Sequence, residues 1–224
     1  MFLAMTAEEI KATSPLPDNI ALLGCHFSPS APILHGSPPA LMPGQGLILD
    51  DRTPIPEVDP SPILKQLSQL APAFLLLDFQ RPPTEPARKL AAALAALPFP
   101  TPMPPAYAPQ DQPVFLPPVP AHVPIADYIS PWSHREIWLE LALDGVQISI
   151  TPQGSKIAPI AHAEPAEKYH TDSMLHCHYS ITPGADSLDF YCYRTREDIT
   201  NLLNSPLPPN ITHTIGLYHE LSWP

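Results

Sequence analysis

Gly46-Leu47-Ile48-Leu49-Asp50 and Ala73-Phe74-Leu75-Leu76-Leu77-Asp78 are the stretches from which the architecture of this chain is read. Each is a continuous apolar run closed by a carboxylate, the pattern of a strand buried on both faces of a parallel sheet. Between them Asp59 or Ser61 can cap a helix with Pro60 or Pro62 at its first position, and Ile63, Leu64, Leu67 and Leu70 follow a 3.6-residue spacing. After the second run Thr84 caps EPARKLAAALAAL, made of strong helix formers with an acid in the first turn. Successive strand–helix–strand units demand parallel strands joined by right-handed crossovers.

Outward from this centre, Thr6 and Glu9 have capping-box spacing and predict a short helix over residues 7–12, stopped by Pro15 and Pro17. Ile20 to Phe27 reads as a strand. Residues 28–45 contain too many prolines for a regular helix. A further unit comes late: Leu188 to Tyr193, a helix REDITNLLN capped by Thr195, then Thr214 to His219. Pro98, Pro100, Pro102 and Pro104 recur at every second residue, so a strand there loses donors on one side only and can still pair on the other; a polyproline II segment is the competing reading. Pro113 to Pro118 offers a short strand, and Asp144-Gly145 between Glu136–Leu143 and Val146–Ile150 is a strong hairpin signal.

Parallel candidates thus fall near residues 20, 46, 73, 99, 113, 136, 187 and 213, which is eight. The expected fold is α/β: a reduced TIM-type (β/α) barrel over residues 1–224, with several helices replaced by proline-rich loops and an antiparallel hairpin insertion at about 144–185. The alternative is an open α/β sheet plus an antiparallel β-meander over residues 136–193. Within the insertion, centring a turn between Gly184 and Ala185 pairs Leu175, Cys177, Tyr179 and Ile181 with Arg194, Cys192, Phe190 and Leu188. One face is then mainly apolar, and the other carries His176, His178 and Ser180 opposite Tyr193, Tyr191 and Asp189.

Composition narrows the function. Lys plus Arg is 11 and Asp plus Glu is 22, so the net charge is −11, which argues against nucleic-acid phosphate or an anionic membrane as partner. Proline, at 35 of 224 residues, is about three times its usual share of roughly 5%. With 44% apolar residues the chain is nonetheless globular, with stiff loops. Cys25, Cys177 and Cys192 are expected as reduced thiols in a cytoplasmic setting, since the start lacks a basic region followed by an apolar stretch of signal-peptide length. No GxxxxGK[ST], GxSxG, HExxH or CxxC occurs, leaving nucleotide, serine-hydrolase and zinc-finger readings without local support.

In a barrel, chemistry belongs at the carboxyl ends of the strands. Those ends bring Cys25 and His26, then Asp50, Asp51 and Arg52, then Asp78, Gln80 and Arg81, then Tyr107, and later Glu140, Tyr193, Arg194, His219 and Glu220. Acids closing several strands can supply the protonated acid beside a carboxylate that glycoside chemistry uses; equally, they can be helix caps and loop partners of the arginines. Asp78, Glu140 and Glu220 are the candidate acid, base or nucleophile set. Trp132, Trp138 and Tyr107 are candidate stacking platforms. His176 and His178, two apart on a strand with His170 and Asp172 nearby, invite a metal reading, but alternate histidines are common on polar strand faces, and neither metal nor cofactor is expected.

The run AFLLLDFQRP (residues 73–82) resembles the tail of the chitinase-like glycoside hydrolase motif, in which alternating aspartates on a barrel strand lead to an acid–base glutamate. Asp78 takes the place of the last aspartate, Phe79 of the aromatic residue and Gln80 of the glutamate, while Ala73 and Leu76 stand where earlier aspartates would be. The family carries the motif on its fourth strand; counting here makes this strand the third. The resemblance implies a sugar-binding relative that has lost its proton donor. The expectation is therefore a glycoside-hydrolase-like barrel that binds a carbohydrate or similar polyhydroxylated ligand. The alternative is a non-enzymatic module whose loops 28–45 and 98–124 bind a protein partner.

Overall fold

The computed structural model describes residues 1–28, 31–55, 57, 59–160 and 168–222. In chain order the elements are β1 (Phe2–Met5), α1 (Ala7–Ala12), β2 (Ile20–Phe27), β3 (Leu34–His35), β4 (Gly46–Asp50), α2 (Ser61–Leu70), β5 (Leu75–Asp78), α3 (Glu85–Ala95), β6 (Val114–Leu116), α4 (Ile125–Ile129), β7 (Ile137–Leu141), β8 (Gly145–Thr151), β9 (Gly154–Ile160), β10 (His170–Asp172), β11 (Cys177–Pro183), β12 (Leu188–Tyr193), α5 (Arg196–Asn204), β13 (Ile211–Leu217) and α6 (Tyr218–Leu221). They fall into two compact units: Met1–Leu116 with His134–Leu139 and Asn210–Pro224, and Pro117–Ser133 with Glu140–Pro209. Part of the expected insertion, residues 161–167, and residues 29–30 of the first proline loop lie outside the described residues. None of the described helices is long and apolar enough to cross a membrane.

The first unit is a ring of parallel strands in the order β5-β4-β2-β1-β13-β7-β6. Its open side is bridged by the alternating prolines. Leu75 and Leu77 donate their N–H groups to the carbonyls of Pro100 and Pro102, both at 2.9 Å, while Met103 accepts from Phe115 at 2.8 Å and pairs in parallel with Val114. Prolines have no N–H to return to β5, so this eighth position is paired by acceptance alone on one side, as the residue alternation predicts. The architecture is a reduced TIM-like barrel with few helices.

Alternation along the strands sorts the apolar runs. Leu47, Leu49, Leu75 and Leu77 face outward and pack with Ile63, Leu67, Leu90 and Leu94 of α2 and α3. Ala4, Ala21, Ile48, Phe74, Leu76, Phe115, Trp138 and Ile215 face inward and fill the ring. Burying each large side chain stabilises by about 1.5–3 kcal/mol, and both faces of β4 and β5 collect it. The capping boxes of Thr6 with Glu9 and of Thr195 with Asp198 form as their spacing predicts, and Thr84 accepts from the Ala87 N–H to start α3.

Two corrections concern strand membership. The ring includes β1, four residues hidden between the first methionine and the cap of α1, and it pairs on both sides, with β13 and β2. Leu188–Tyr193 is not a parallel strand: β12 lies in the antiparallel sheet of the second unit, order β10-β11-β12-β8-β9. The strand ending in Asp78 is consequently the fourth in chain order around the ring. Asp144-Gly145 is also not a hairpin turn, because both edges of β7 are occupied by β13 and β6; β8 turns at residues 152–153 to pair with β9.

The hairpin β11–β12 keeps the expected faces but is shifted by two residues. Tyr179 opposes Cys192, Ile181 opposes Phe190 and His178 opposes Tyr193, so Cys177 is not directly across from Cys192. A slip of two preserves the alternation that fixes the faces and changes only the partners, which is why the hydrophobic pattern could not detect it. Arg194 is 8% exposed and donates to the carbonyls of Val119, His176 and Leu175, tying a loop and a turn of the second unit to the end of β12.

A β-bulge sets the phase of β2. The β2–β4 register gains one residue between Leu22 and Cys25, and Gly24 takes the extra place with φ +104°. Cys25 then points into the outer core and His26 falls level with Asp50. Gly36 follows β3 with φ +69°, and a Cβ there would stand 2.1 Å from the Gly24 carbonyl oxygen. Gly36→Ala should destabilise the fold by about 1–3 kcal/mol through this backbone clash and the left-handed φ, as read by denaturant titration. The three cysteines are free and buried; burial pushes Cys25 and Cys177 up to about 12 and raises Cys192. Native protein at pH 8 should resist alkylation, and all three thiols should react once it is denatured.

Candidate functional site

Three side chains stand in one row at the carboxyl ends of adjacent strands: His26 is level with Asp50, and Asp50 with Asp78. Neighbouring strands are about 4.8 Å apart, and Ile48 and Leu76, two residues earlier, line the ring, so both aspartates share the inward phase. Gly24 accepts a hydrogen bond from His26 Nδ1 at 3.1 Å, and His35 of β3 stacks on the His26 ring at 5.7 Å.

The two carboxyl groups are held in different electrostatic states. Arg52 grips Asp50: its Nε donates to Oδ1 at 2.8 Å and to Oδ2 at 3.0 Å, a terminal nitrogen donates to Oδ2 at 2.5 Å, and its backbone N–H donates to Oδ1 at 3.1 Å. Hydrogen bonding to Asp50 in turn holds the Arg52 guanidinium above its ordinary value. Asp78 is pushed upward, first by burial and then by the charges of Asp50 and Asp51, against the opposing pull of the Gln80 side chain and of Arg52. Gln80 Nε2 lies 3.3 Å from Asp78 Oδ1. A neutralised carboxylate thus stands beside a carboxyl group that keeps its proton to higher pH.

Asp51 builds the floor under this row. It is 3% exposed and accepts from the backbone N–H groups of Gln80 and Arg81, each at 2.9 Å. Arg81 returns its Nε to the Asp51 carbonyl at 2.7 Å and a terminal nitrogen to the Arg52 carbonyl at 2.8 Å. The Tyr107 hydroxyl donates to the Arg81 carbonyl at 2.9 Å, and its ring packs edge-on to Phe79 in the outer core. Asp51, Arg81 and Tyr107 therefore fasten the loops after β4 and β5 together and fix Gln80 in place.

The remaining candidates lie outside the His26–Asp50–Asp78 register row. Trp138 is 2% exposed, stacked on His213 at 4.0 Å and packed with Phe74 inside the ring, and its indole N–H donates to Glu136 at 3.1 Å. His219 on α6 pairs with Glu9 of α1 at 3.4 Å, with Glu220 beside it in the chain. Glu140, Tyr193 and Arg194 belong to the second unit. There burial, then the charges of Glu140 and Asp144, push the Tyr128 phenol up to about 12. Trp132 lies near Tyr128, ring centres 6.5 Å apart. Among the described residues no group of three or more His, Cys, Asp or Glu is placed to hold a metal ion.

His35 is the addition that strand-end reading left out, and His26, named there beside Cys25, is the one that meets Asp50. The signal was Gly24 inside an otherwise regular strand pattern, where an isolated glycine marks a bulge and so a change of face.

No family model and no curated protein matches the chain. Among solved structures it is similar to the spore cortex-lytic enzyme SleL of Bacillus cereus, with 9% identity and a TM-score of 0.45 over 100% of this chain and 71% of that one. It is also similar to SleL of Bacillus megaterium QM B1551, with 10% identity and a TM-score of 0.42 over 88% of this chain and 62% of that one.

Proposed function

We propose that the first unit binds a carbohydrate or similar polyhydroxylated ligand at the carboxyl ends of its strands, with Asp78, Asp50, Arg52, Gln80 and His26 as the contacting groups. The observation that carries this reading is the register pairing of Asp50 with Asp78 on the inward phase of adjacent strands. Vicinal hydroxyls each donate and accept, and two carboxyl groups, a guanidinium and a carboxamide at fixed spacing offer partners for both roles. The resemblance of residues 73–82 to the chitinase-like motif supports the same ligand class, and the place of Asp78 on the fourth strand removes the mismatch in strand number. Gln80 can hydrogen-bond a glycosidic oxygen but has no proton to deliver to a leaving group. Recognition is therefore the proposed activity, and Asp78 is its central group.

Isothermal titration with the soluble tetramer of N-acetylglucosamine tests this. Saturable binding is expected, weakened about tenfold or more by Asp78→Asn, which is about 1.4 kcal/mol or more. Absence of binding at millimolar ligand, or an unchanged affinity in the variant, overturns the assignment. Stability supplies a second readout. Because the folded-state value of Asp78 is raised above the unfolded value of about 4, the native protein binds more protons between the two values. Stability should fall as pH rises through that window, and Asp78→Asn should flatten the fall while leaving stability at pH 7 unchanged or higher.

A further inference from the structure

We propose that the second unit carries a ligand pocket of its own, built around His178, that takes an amine-bearing polyol such as an amino sugar. Every residue of this pocket lies on β10, β11, α5 or the segments flanking β10, so the inference stands independently of the barrel reading.

The pocket has a volume of about 490 Å³, within the range of small-molecule sites. At its wall the His178 ring is held on three sides. Nδ1 lies 2.7 Å from Asp198 Oδ2, the Tyr169 ring meets it edge-on at 4.6 Å between centres, and the Tyr193 ring lies nearly parallel to it at 5.7 Å. The cap of α5 does not need this histidine. Asp198 Oδ2 already accepts from the Thr195 N–H and hydroxyl, each at 2.8 Å, and the Thr195 hydroxyl accepts from the Asp198 N–H at 3.2 Å. The bond to Asp198 instead fixes the ring and leaves Nε2 as the nitrogen not engaged by Asp198.

The rest of the pocket is rich in acceptors. Asp172 spends Oδ1 on the Met174 and Leu175 N–H groups, at 2.9 and 3.0 Å, and no hydrogen bond to a described residue occupies Oδ2. Glu197 and Asn201 are one helical turn apart on α5 and both are exposed, presenting a carboxylate and a carboxamide side by side. Thr171 and Ser173 add hydroxyls, and half of Tyr169 remains exposed at the edge, a surface for C–H or ammonium groups. Carboxylates repel a phosphate or a carboxylate ligand and attract an ammonium, while Nε2 and the amide meet hydroxyls.

Titrating full-length protein with glucosamine, glucose and inorganic phosphate, followed through the ring signals of His178 by NMR, tests the pocket. Glucosamine should shift these signals saturably, with an affinity at least about fivefold above that of glucose, and phosphate should leave them unmoved. Glu197→Gln and Asn201→Ala, both at exposed helix positions, should weaken glucosamine binding by about three- to tenfold without loss of folding. Asp78→Asn should leave it unchanged. Unmoved signals, equal effects of phosphate, or full affinity in both α5 variants would overturn the proposal; a loss confined to Asp78→Asn would assign the binding to the barrel site instead.

Discussion

The first unit depends on the closure of its strand ring by a segment that cannot complete a normal ladder. β5 and β6 would be two open edges without the Pro100–Met103 strip, and an open edge leaves backbone donors unpaired beside an apolar lumen. The strip satisfies the Leu75 and Leu77 N–H groups with carbonyls alone and pairs with β6 through Met103. Proline suits this position twice over: its fixed φ lies near extended values, and its missing N–H is lost only toward β5. Closure in turn gives Phe2, Phe74 and Trp138 a common interior to fill, with ring centres of Phe2 and Phe74 4.6 Å apart and of Phe74 and Trp138 4.7 Å apart.

On that frame two local devices make the row of polar groups. The Gly24 bulge turns β2 by one residue, so that His26, instead of Cys25, meets Asp50. Asp51 accepts two backbone N–H groups from the segment after β5 and so fixes the distance between the two strand ends. The charges then divide the labour. Arg52 pairs with Asp50, and Asp78, facing two negative neighbours, is pushed upward, first by burial and then by their charges. Like charges in register oppose folding unless compensated, and Arg52 supplies that compensation at Asp50.

The second unit is organised by Arg194 and by the His178–Asp198 contact. A buried guanidinium that donates to three carbonyls replaces secondary structure where the Val119 loop and the turn before β11 lack partners. An arginine read from sequence as a ligand contact is thus a structural tie. The same end of the sheet carries an imidazole held by a helix-capping aspartate, so one carboxylate both starts α5 and orients a ring on β11.

The sequence alone determined what local chemistry decides: the apolar runs at 46–50 and 73–78 as buried parallel strands and the capped helices; its count of eight took Leu188–Tyr193 in place of Phe2–Met5, and it left the alternating prolines between a one-sided strand and polyproline II. It also placed Asp50, Asp51 and Asp78 at strand ends, because an acid after an apolar run can only follow the strand. Only the tertiary structure decided membership and pairing. Phe2–Met5 is too short to announce itself, and it becomes a strand because β13 and β2 hold both of its edges. Leu188–Tyr193 carries the same signal for either kind of sheet, and its neighbours β11 and β8 make it antiparallel. Whether an aromatic is a platform or a core residue was likewise not local, since Trp138 and Tyr107 are committed by rings and carbonyls distant in the chain. Side-chain type and period are properties of a segment, whereas pairing partners, burial and the difference between Asp50 and Asp78 arise only when separate segments meet.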